Sequence, residues 1–133
     1  MGSYQRDLVI KSPLLISIVV VIPAAIVYGF YPEWLLDMSP ETRDEHSFAK
    51  GVMGLYLAFS LFWSFALFET KLLKTALLSN MLFMLGLGLG RVVGILIDGI
   101  PSDTYIIGMF GELILGLYGL WLIRSSLFKK LPQ

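Results

Sequence analysis

Four long apolar runs constrain the fold of this chain more than any other feature of its sequence. A helix needs about 20 mostly apolar residues to cross a hydrocarbon core about 30 Å thick, and the runs at 13–31, 47–68, 72–97 and 104–123 reach that length. Transmembrane β-strands alternate apolar and polar residues, whereas these runs are contiguous. The sequence therefore predicts an all-α integral membrane protein, a single four-helix transmembrane bundle over residues 1–133.

The composition agrees with a membrane environment. Hydrophobic residues make up 56% of the chain and charged residues 15%, against about 45–50% and about 25% in soluble domains. The formal net charge is zero, so no basic surface for nucleic acid is indicated. The predicted partners therefore include the lipid bilayer and exclude nucleic acid.

Side chains for catalysis or metal binding are scarce. The chain has no cysteine, which excludes disulfides, thiolate metal sites and cysteine nucleophiles. His46 is the single histidine, and one imidazole at a helix entrance is a poor metal site. No nucleophile, base and orienting group occur in a recognisable pattern. The sequence therefore predicts no metal, no cofactor and no enzymatic activity.

Basic residues are distributed unevenly over the connections between the spans. Seven of them precede the first span, separate the second from the third, or follow the fourth: Arg6, Lys11, Lys71, Lys74, Arg124, Lys129 and Lys130. Arg43 and Lys50 lie on the other side. Because Lys and Arg concentrate in cytoplasmic connections, both termini of this multi-pass protein are predicted to be cytoplasmic.

The connection between the first two spans carries two local signals. Trp34, Leu35 and Leu36 fit an interfacial segment, with the indole at the level of the lipid headgroups. Thr42 and Glu45 have the spacing of a capping box. The second helix is therefore predicted to begin before the membrane, with a polar first turn outside it.

Gly86, Gly90 and Gly94 are spaced by four residues and share one face of the third helix. Glycines on one face allow a neighbouring helix to approach closely, which is a main source of helix association in lipid. The functional interpretation is a contact with a second copy of the chain. The alternative, which we favour, is packing between helices of the same bundle.

The third and fourth spans each carry one charge at depth. Arg91 lies about 9 Å from the outer end of its helix, and Glu112 about 13 Å from the same face of the membrane, at 1.5 Å per residue. The short connection makes the two helices antiparallel neighbours. An unpaired charge at such depth costs about 2.5–3.5 kcal/mol on the most lenient scale, so Arg91 and Glu112 are predicted to pair. Asp98 is a possible second partner nearer to water.

Two interpretations of this pair remain open. Intramembrane ionisable residues mark functional sites by default, so Arg91 and Glu112 could form the polar floor of a cavity for a small anion, a lipid headgroup or a proton. A matched pair of opposite charges is also what a structural clamp between two helices requires. We favour the clamp, because no further buried charge is available for a relay.

Other polar side chains within the spans are candidates for contacts between helices. Asn80 in the third span is predicted to donate an interhelical hydrogen bond, since amide side chains bond across helices in lipid. Tyr56, Tyr105 and Tyr118 are candidates for the same role.

The stretch from about His46 to Ile123 resembles a family of small bacterial membrane proteins, the domain of unknown function 4345. The resemblance rests on "FAKGVMGLYLAFSLFW", "LFMLGLGLGRVVGILIDGIPS" and "GELILGLYGL". The matching positions are Arg91, Asp98, Gly99, Pro101 and Glu112, with Gly99 and Pro101 forming the turn after the third helix. The resemblance implies a four-helix integral membrane fold, in a bacterial inner membrane, and brings no catalytic residues.

Two functions are consistent with these features. The leading hypothesis is a non-enzymatic structural or accessory subunit that packs against itself or against a larger membrane complex, since the soluble parts are small and small-residue faces are abundant. The alternative is binding or transport of a small anionic or lipidic ligand at the Arg91–Glu112 site.

Overall fold

The computed structural model describes residues 2–132, and within that range the chain forms helices and no strand. The helices follow one another in the order α1 (Ser3–Phe30), α2 (Pro32–Leu35), α3 (Arg43–Phe68), α4 (Leu73–Asp98), α5 (Asp103–Arg124) and α6 (Ser126–Lys129). A 3₁₀ turn at Thr70–Leu72 joins α3 to α4. The predicted all-α four-helix bundle is therefore confirmed.

The four long helices are each long and apolar enough to cross a membrane. Each predicted span lies within one of them to within a residue, except that α1 begins at Ser3, ten residues before the predicted span at 13–31. The charged side chains of Arg6, Asp7 and Lys11 occupy that extension. The protein is a multi-pass membrane protein.

The predicted start of the second long helix agrees with the structure. Thr42 is the N-cap of α3, and its hydroxyl accepts a hydrogen bond from the backbone N–H of Glu45 at 3.2 Å. The Glu45 carboxylate in turn accepts from the backbone N–H of Thr42 at 2.9 Å. This reciprocal capping box satisfies two donors that a helix start leaves free.

The long helices pack as two antiparallel pairs, α1 with α3 and α4 with α5. We call the end of the bundle that carries the chain termini and the 3₁₀ turn the terminal half. The end that carries residues 31–42 and the 99–102 turn is the loop half. Gly99 adopts a positive φ of 100° at the end of α4, a backbone conformation that glycine reaches without strain, so the chain reverses there into α5.

The terminal half contains most of the buried core. Its largest fully buried side chains are Trp63, Leu14, Leu73, Leu77 and Leu122, one or more from each long helix. The indole N–H of Trp63 donates to the hydroxyl of Ser79 at 3.0 Å. The short helix α6 adds Leu127 and Phe128 to the same core. All four long helices therefore meet in this half.

The glycines predicted to pack within the bundle do not do so. Gly86 and Gly90 are exposed, and a Cβ added at either one, or at Gly94, would meet nothing within 4 Å. The buried face of α4 instead runs through Ala76, Asn80, Met84 and Gly88. Gly86 and Gly90 each lie two residues from Gly88, a turn of about 200°, which places both on the opposite side of the helix.

Close approach of α4 and α5 depends on different glycines. A Cβ at Gly88 would lie 2.7 Å from Cδ2 of Leu113, and one at Gly116 would lie 2.5 Å from Cδ2 of Leu85. Each helix thus places a leucine over a glycine of the other. Small residues at such contacts let two backbones approach closely in lipid, so this reciprocal packing sets the register of the α4–α5 pair.

Candidate functional site

Arg91 lies about one turn beyond Gly88 on α4, and Glu112 directly precedes Leu113 on α5. Nε of Arg91 donates to Oε2 of Glu112 at 2.8 Å, and Nη2 donates to Oε1 at 3.0 Å. The register that the leucine–glycine contacts impose brings the two side chains within reach of each other. This bidentate geometry is the strong form of a charge-assisted hydrogen bond.

Two tyrosines complete the surroundings of the guanidinium. Nη2 of Arg91 also donates to the hydroxyl of Tyr28 on α1, at 3.4 Å. The guanidinium carbon lies 5.2 Å from the centre of the Tyr105 ring on α5, within the range of a cation–π contact. Three helices therefore contribute to one polar network, which we call the Arg91 network: Arg91, Glu112, Tyr28 and Tyr105.

Asp98 is not part of this network. Its side chain is exposed, and within residues 2–132 the carboxylate that lies within 4 Å of Arg91 is that of Glu112. Asp98, Gly99 and Pro101 instead line a shallow cavity of about 230 Å³ at the loop end, which Arg91 and Tyr105 also reach. Of the site residues predicted from the sequence, Arg91 and Glu112 therefore form an ion pair within the bundle. Asp98, Gly99 and Pro101 instead belong to the exposed turn between α4 and α5.

The pair is partly shielded from the surroundings. The Arg91 side chain is 20% exposed and that of Glu112 15%. Arg91 lies seven residues from the end of α4, about 10 Å at 1.5 Å per residue. At that depth the low dielectric strengthens the attraction between the two charges and raises the cost of separating them.

A cavity of about 560 Å³ lies beside the Arg91 network, between α1 and α5. We call it the lateral groove. From α1 it is lined by Ile16, Val20, Val21, Ala24 and Tyr28, and from α5 by Thr104, Tyr105, Ile107, Gly108, Gly111, Glu112, Ile114 and Leu115. Met84 and Arg91 of α4 form its back wall together with Tyr56 of α3. The lateral groove is thus mostly apolar, with the Arg91 network at the end nearer the loop half.

The sequence explains why a groove forms at this place. Gly108 and Gly111 lack side chains, and a Cβ at either position would meet nothing within 4 Å. Towards the terminal half α1 and α5 do meet, because Tyr118 donates to the backbone carbonyl of Val9 at 3.2 Å and contacts the hydroxyl of Ser12 at 3.1 Å. The two helices are therefore joined at one end and separated by the groove at the other.

Tyr118 is a predicted interhelical donor that the structure confirms, and Asn80 behaves differently. Both polar atoms of the Asn80 side chain are buried without a hydrogen-bond partner from residues 2–132. The hydroxyls of Ser17 and Ser60, also buried, have none either. Buried polar groups usually have partners, and these three side chains have none among the described residues.

Sequence reasoning did not single out Tyr28. Its contact with Arg91 spans 63 positions of the chain and depends on how α1 packs against α4. A partial signal was nevertheless present, since Tyr28 lies near the outer end of the first span, on the same side of the bundle as Arg91. Tyr105 was expected to form hydrogen bonds, and the structure shows that its ring faces the guanidinium.

The described residues hold no metal-binding cluster: within 2–132 no three His, Cys, Asp or Glu side chains come together. The Arg91 network offers hydrogen-bond donors and one ion pair, with no nucleophile activated by a neighbouring base. What the arrangement can do chemically is to hold the polar end of a molecule whose remainder is apolar.

Comparison with curated proteins and with solved structures gives no match. A family model described as a domain of unknown function, DUF4345, matches residues 9–123. The match therefore includes most of α1 and every residue of the Arg91 network. The chain belongs to the DUF4345 family of proteins.

Proposed function

We propose that this protein binds an amphipathic molecule of the bilayer in the lateral groove, with the polar end of that molecule at the Arg91 network. The observation that carries this proposal is the joining of an apolar groove to a polar network inside one membrane-spanning bundle. A structural clamp alone would need the Arg91–Glu112 pair and would not need a groove beside it.

The size and lining of the groove support a ligand of this class. A volume of about 560 Å³ falls within the range of about 300–1,000 Å³ that is usual for small-molecule sites. Such sites are mostly apolar, with a few polar groups that fix orientation. The lateral groove has this composition, since aliphatic side chains and glycines line most of it.

The position of the groove favours a ligand that arrives from the lipid. Val20 of α1 and Ile107 of α5 lie at its edges and are exposed on the surface of the bundle. Both belong to helices that are long and apolar enough to cross a membrane, so their exposed faces contact acyl chains. A lipid or another membrane-soluble amphiphile can therefore enter sideways without crossing water.

Single-cysteine variants of this cysteine-free chain allow the proposal to be tested. A bimane fluorophore on Gly108→Cys lies in the groove, and one on Phe65→Cys lies on an exposed face of α3 outside it. In nanodiscs of phosphatidylcholine, brominated dioleoylglycerol and brominated phosphatidylglycerol are added separately. We expect quenching at Gly108→Cys to saturate at a low mole fraction of at least one of them, and quenching at Phe65→Cys to rise linearly. Equal quenching of both labels by both lipids would refute a binding site.

A matched pair of glycine substitutions tests whether the groove itself is responsible. Gly111→Phe places a ring in the groove, whereas Gly90→Phe places the same ring on a face of α4 that meets nothing within 4 Å. We expect saturable quenching of the Gly108→Cys label to disappear with Gly111→Phe and to persist with Gly90→Phe.

We further propose that both termini are cytoplasmic and that the membrane is the bacterial inner membrane. Support comes from the seven basic residues that accompany the terminal half, against Arg43 and Lys50 near the loop half. Lys and Arg near the ends of spans set orientation. A membrane-impermeant thiol reagent should then label Asp37→Cys in intact cells. It should label Ser3→Cys only after the membrane is permeabilised.

The accessory-subunit hypothesis remains a second proposal. The outward position of Gly86 and Gly90 supports it, because those glycines are free for contact with a second copy or another membrane protein. The mass of the particle in mild detergent tests it, and a strictly monomeric particle without a co-purifying protein would count against it.

A further inference from the structure

The Arg91 network carries no net charge, and this property restricts the ligands that it can accept. Both carboxylate oxygens of Glu112 are engaged by the guanidinium, through Nε and Nη2. Arg91 and Glu112 are the two residues with formal charge among those lining the lateral groove. The positive charge of Arg91 is therefore already neutralised before a ligand arrives.

The groups that remain available in the network are hydrogen-bond donors. A guanidinium has five N–H groups, and Nη1 of Arg91 forms no hydrogen bond with residues 2–132, which leaves its two N–H groups for a ligand. The Tyr28 hydroxyl accepts from Nη2. The polar end of the groove thus suits oxygen atoms that accept hydrogen bonds.

We propose that the lateral groove selects amphiphiles with an uncharged head that carries acceptor oxygens, such as the ester and hydroxyl oxygens of a diacylglycerol, over amphiphiles with an anionic head. This inference rests on the proposed function and specifies the ligand class of the same site. An anionic head would have to displace Glu112 from the guanidinium or add an uncompensated negative charge in a low-dielectric site. A neutral head avoids both costs.

The selectivity is measured with the fluorophore on Gly108→Cys, which leaves the Arg91 network intact. Brominated dioleoylglycerol and brominated dioleoylphosphatidylglycerol carry the same acyl chains and differ in the charge of the head. We expect the mole fraction for half-maximal quenching to be at least tenfold lower for dioleoylglycerol. Equal values, or tighter binding of phosphatidylglycerol, would overturn the inference while leaving a binding site in place. Saturation by neither lipid would instead refute the proposed function.

Removal of the carboxylate charge should reverse the order. In Glu112→Gln the guanidinium loses its counter-charge, and we expect phosphatidylglycerol to bind more tightly than dioleoylglycerol. The double variant Arg91→Gln/Glu112→Gln is again uncharged, and we expect it to lose the preference for the anion. An unchanged order in a folded Glu112→Gln would contradict the role of charge. If that single variant does not fold, the wild-type order and the double variant still decide the question.

Discussion

The long helices pack closely in the terminal half of the bundle and less closely in the loop half. In the terminal half all four long helices meet around Trp63, Leu14 and Leu122, which are fully buried. In the loop half α1 and α5 are separated by the lateral groove, and polar side chains replace part of the core. The comparison indicates that the terminal half supplies most of the packing stability, which allows the loop half to keep an open site.

The difference arises from residue size and chemistry along α5. Gly116 and Gly119 are buried against α4 in the direction of the terminal half, whereas Gly108 and Gly111 line the groove with open space at the Cβ position. Glycine thus allows close packing of α5 against α4 at Gly116 and Gly119 and leaves open space at Gly108 and Gly111. Gly108 and Gly119 are eleven residues apart and therefore lie within about 20° of each other around α5, so what decides is the height of each glycine along the helix, towards the loop half or towards the terminal half.

The largest effect is expected from Trp63→Ala in the terminal half. Truncating a buried aromatic side chain in a packed core costs about 3–5 kcal/mol, and the Trp63–Ser79 hydrogen bond is lost as well. Unfolding in mixed micelles of increasing SDS content measures the change. Trp121→Ala is the matched control, because Trp121 is exposed on α5, and its effect should be below about 1 kcal/mol. Equal effects would break the comparison between the halves.

A somewhat smaller loss is expected from Glu112→Gln in the loop half. The substitution leaves Arg91 without its counter-charge, and an unpaired charge within a membrane costs about 2.5–3.5 kcal/mol on the insertion scale. The same SDS titration measures it, with Arg91→Gln/Glu112→Gln as the control that removes both charges. The double variant should regain most of the lost stability. A double variant as unstable as the single one would show that the individual side chains matter more than their pairing.

A moderate effect is expected from Gly88→Ala at the boundary between the halves. Its Cβ would overlap Leu113 of α5, and such overpacking costs about 1–3 kcal/mol. Gly90→Ala on the same helix is the matched control, because its Cβ meets nothing within 4 Å and stability should stay unchanged. A loss at Gly90 and none at Gly88 would show that the register of α4 against α5 is wrong.

The smallest effect, and the one of opposite sign, is expected from Asn80→Leu. The Asn80 amide is buried without a partner from the described residues, and an unsatisfied buried polar group costs about 1–3 kcal/mol. An apolar side chain of similar size should therefore raise stability by about 1 kcal/mol. A decrease in the SDS titration would mean that Asn80 has a hydrogen-bond partner in the membrane-embedded protein.

The sequence was sufficient for features that depend on local patterns. The lengths of the apolar runs determine the helices, and the capping box at Thr42 determines where α3 begins. The pairing of Arg91 with Glu112 also follows from the sequence. The short connection makes α4 and α5 neighbours, and two charges buried within the membrane are less costly when they pair. Each of these features can be predicted from the residues of one helix or of two helices adjacent in the chain.

Features that depend on helix rotation could not be derived in the same way. Helices that are apolar on all sides show little difference between their buried and lipid-facing sides, so the spacing of Gly86, Gly90 and Gly94 predicts a shared face but does not predict that this face points away from the bundle. The role of Tyr28 and the lateral groove both require the placement of α1 against α4 and α5. No spacing within a single helix encodes that placement.

An experimental density map of the protein, purified with lipids from its native membrane, tests the central claim most directly. The account predicts elongated density of non-protein origin between α1 and α5, ending within hydrogen-bond distance of Arg91 Nη1 or the Tyr28 hydroxyl. It further predicts that the Arg91–Glu112 pair stays intact beside that density. A map in which α1 and α5 close against each other and side chains fill the groove would contradict the account.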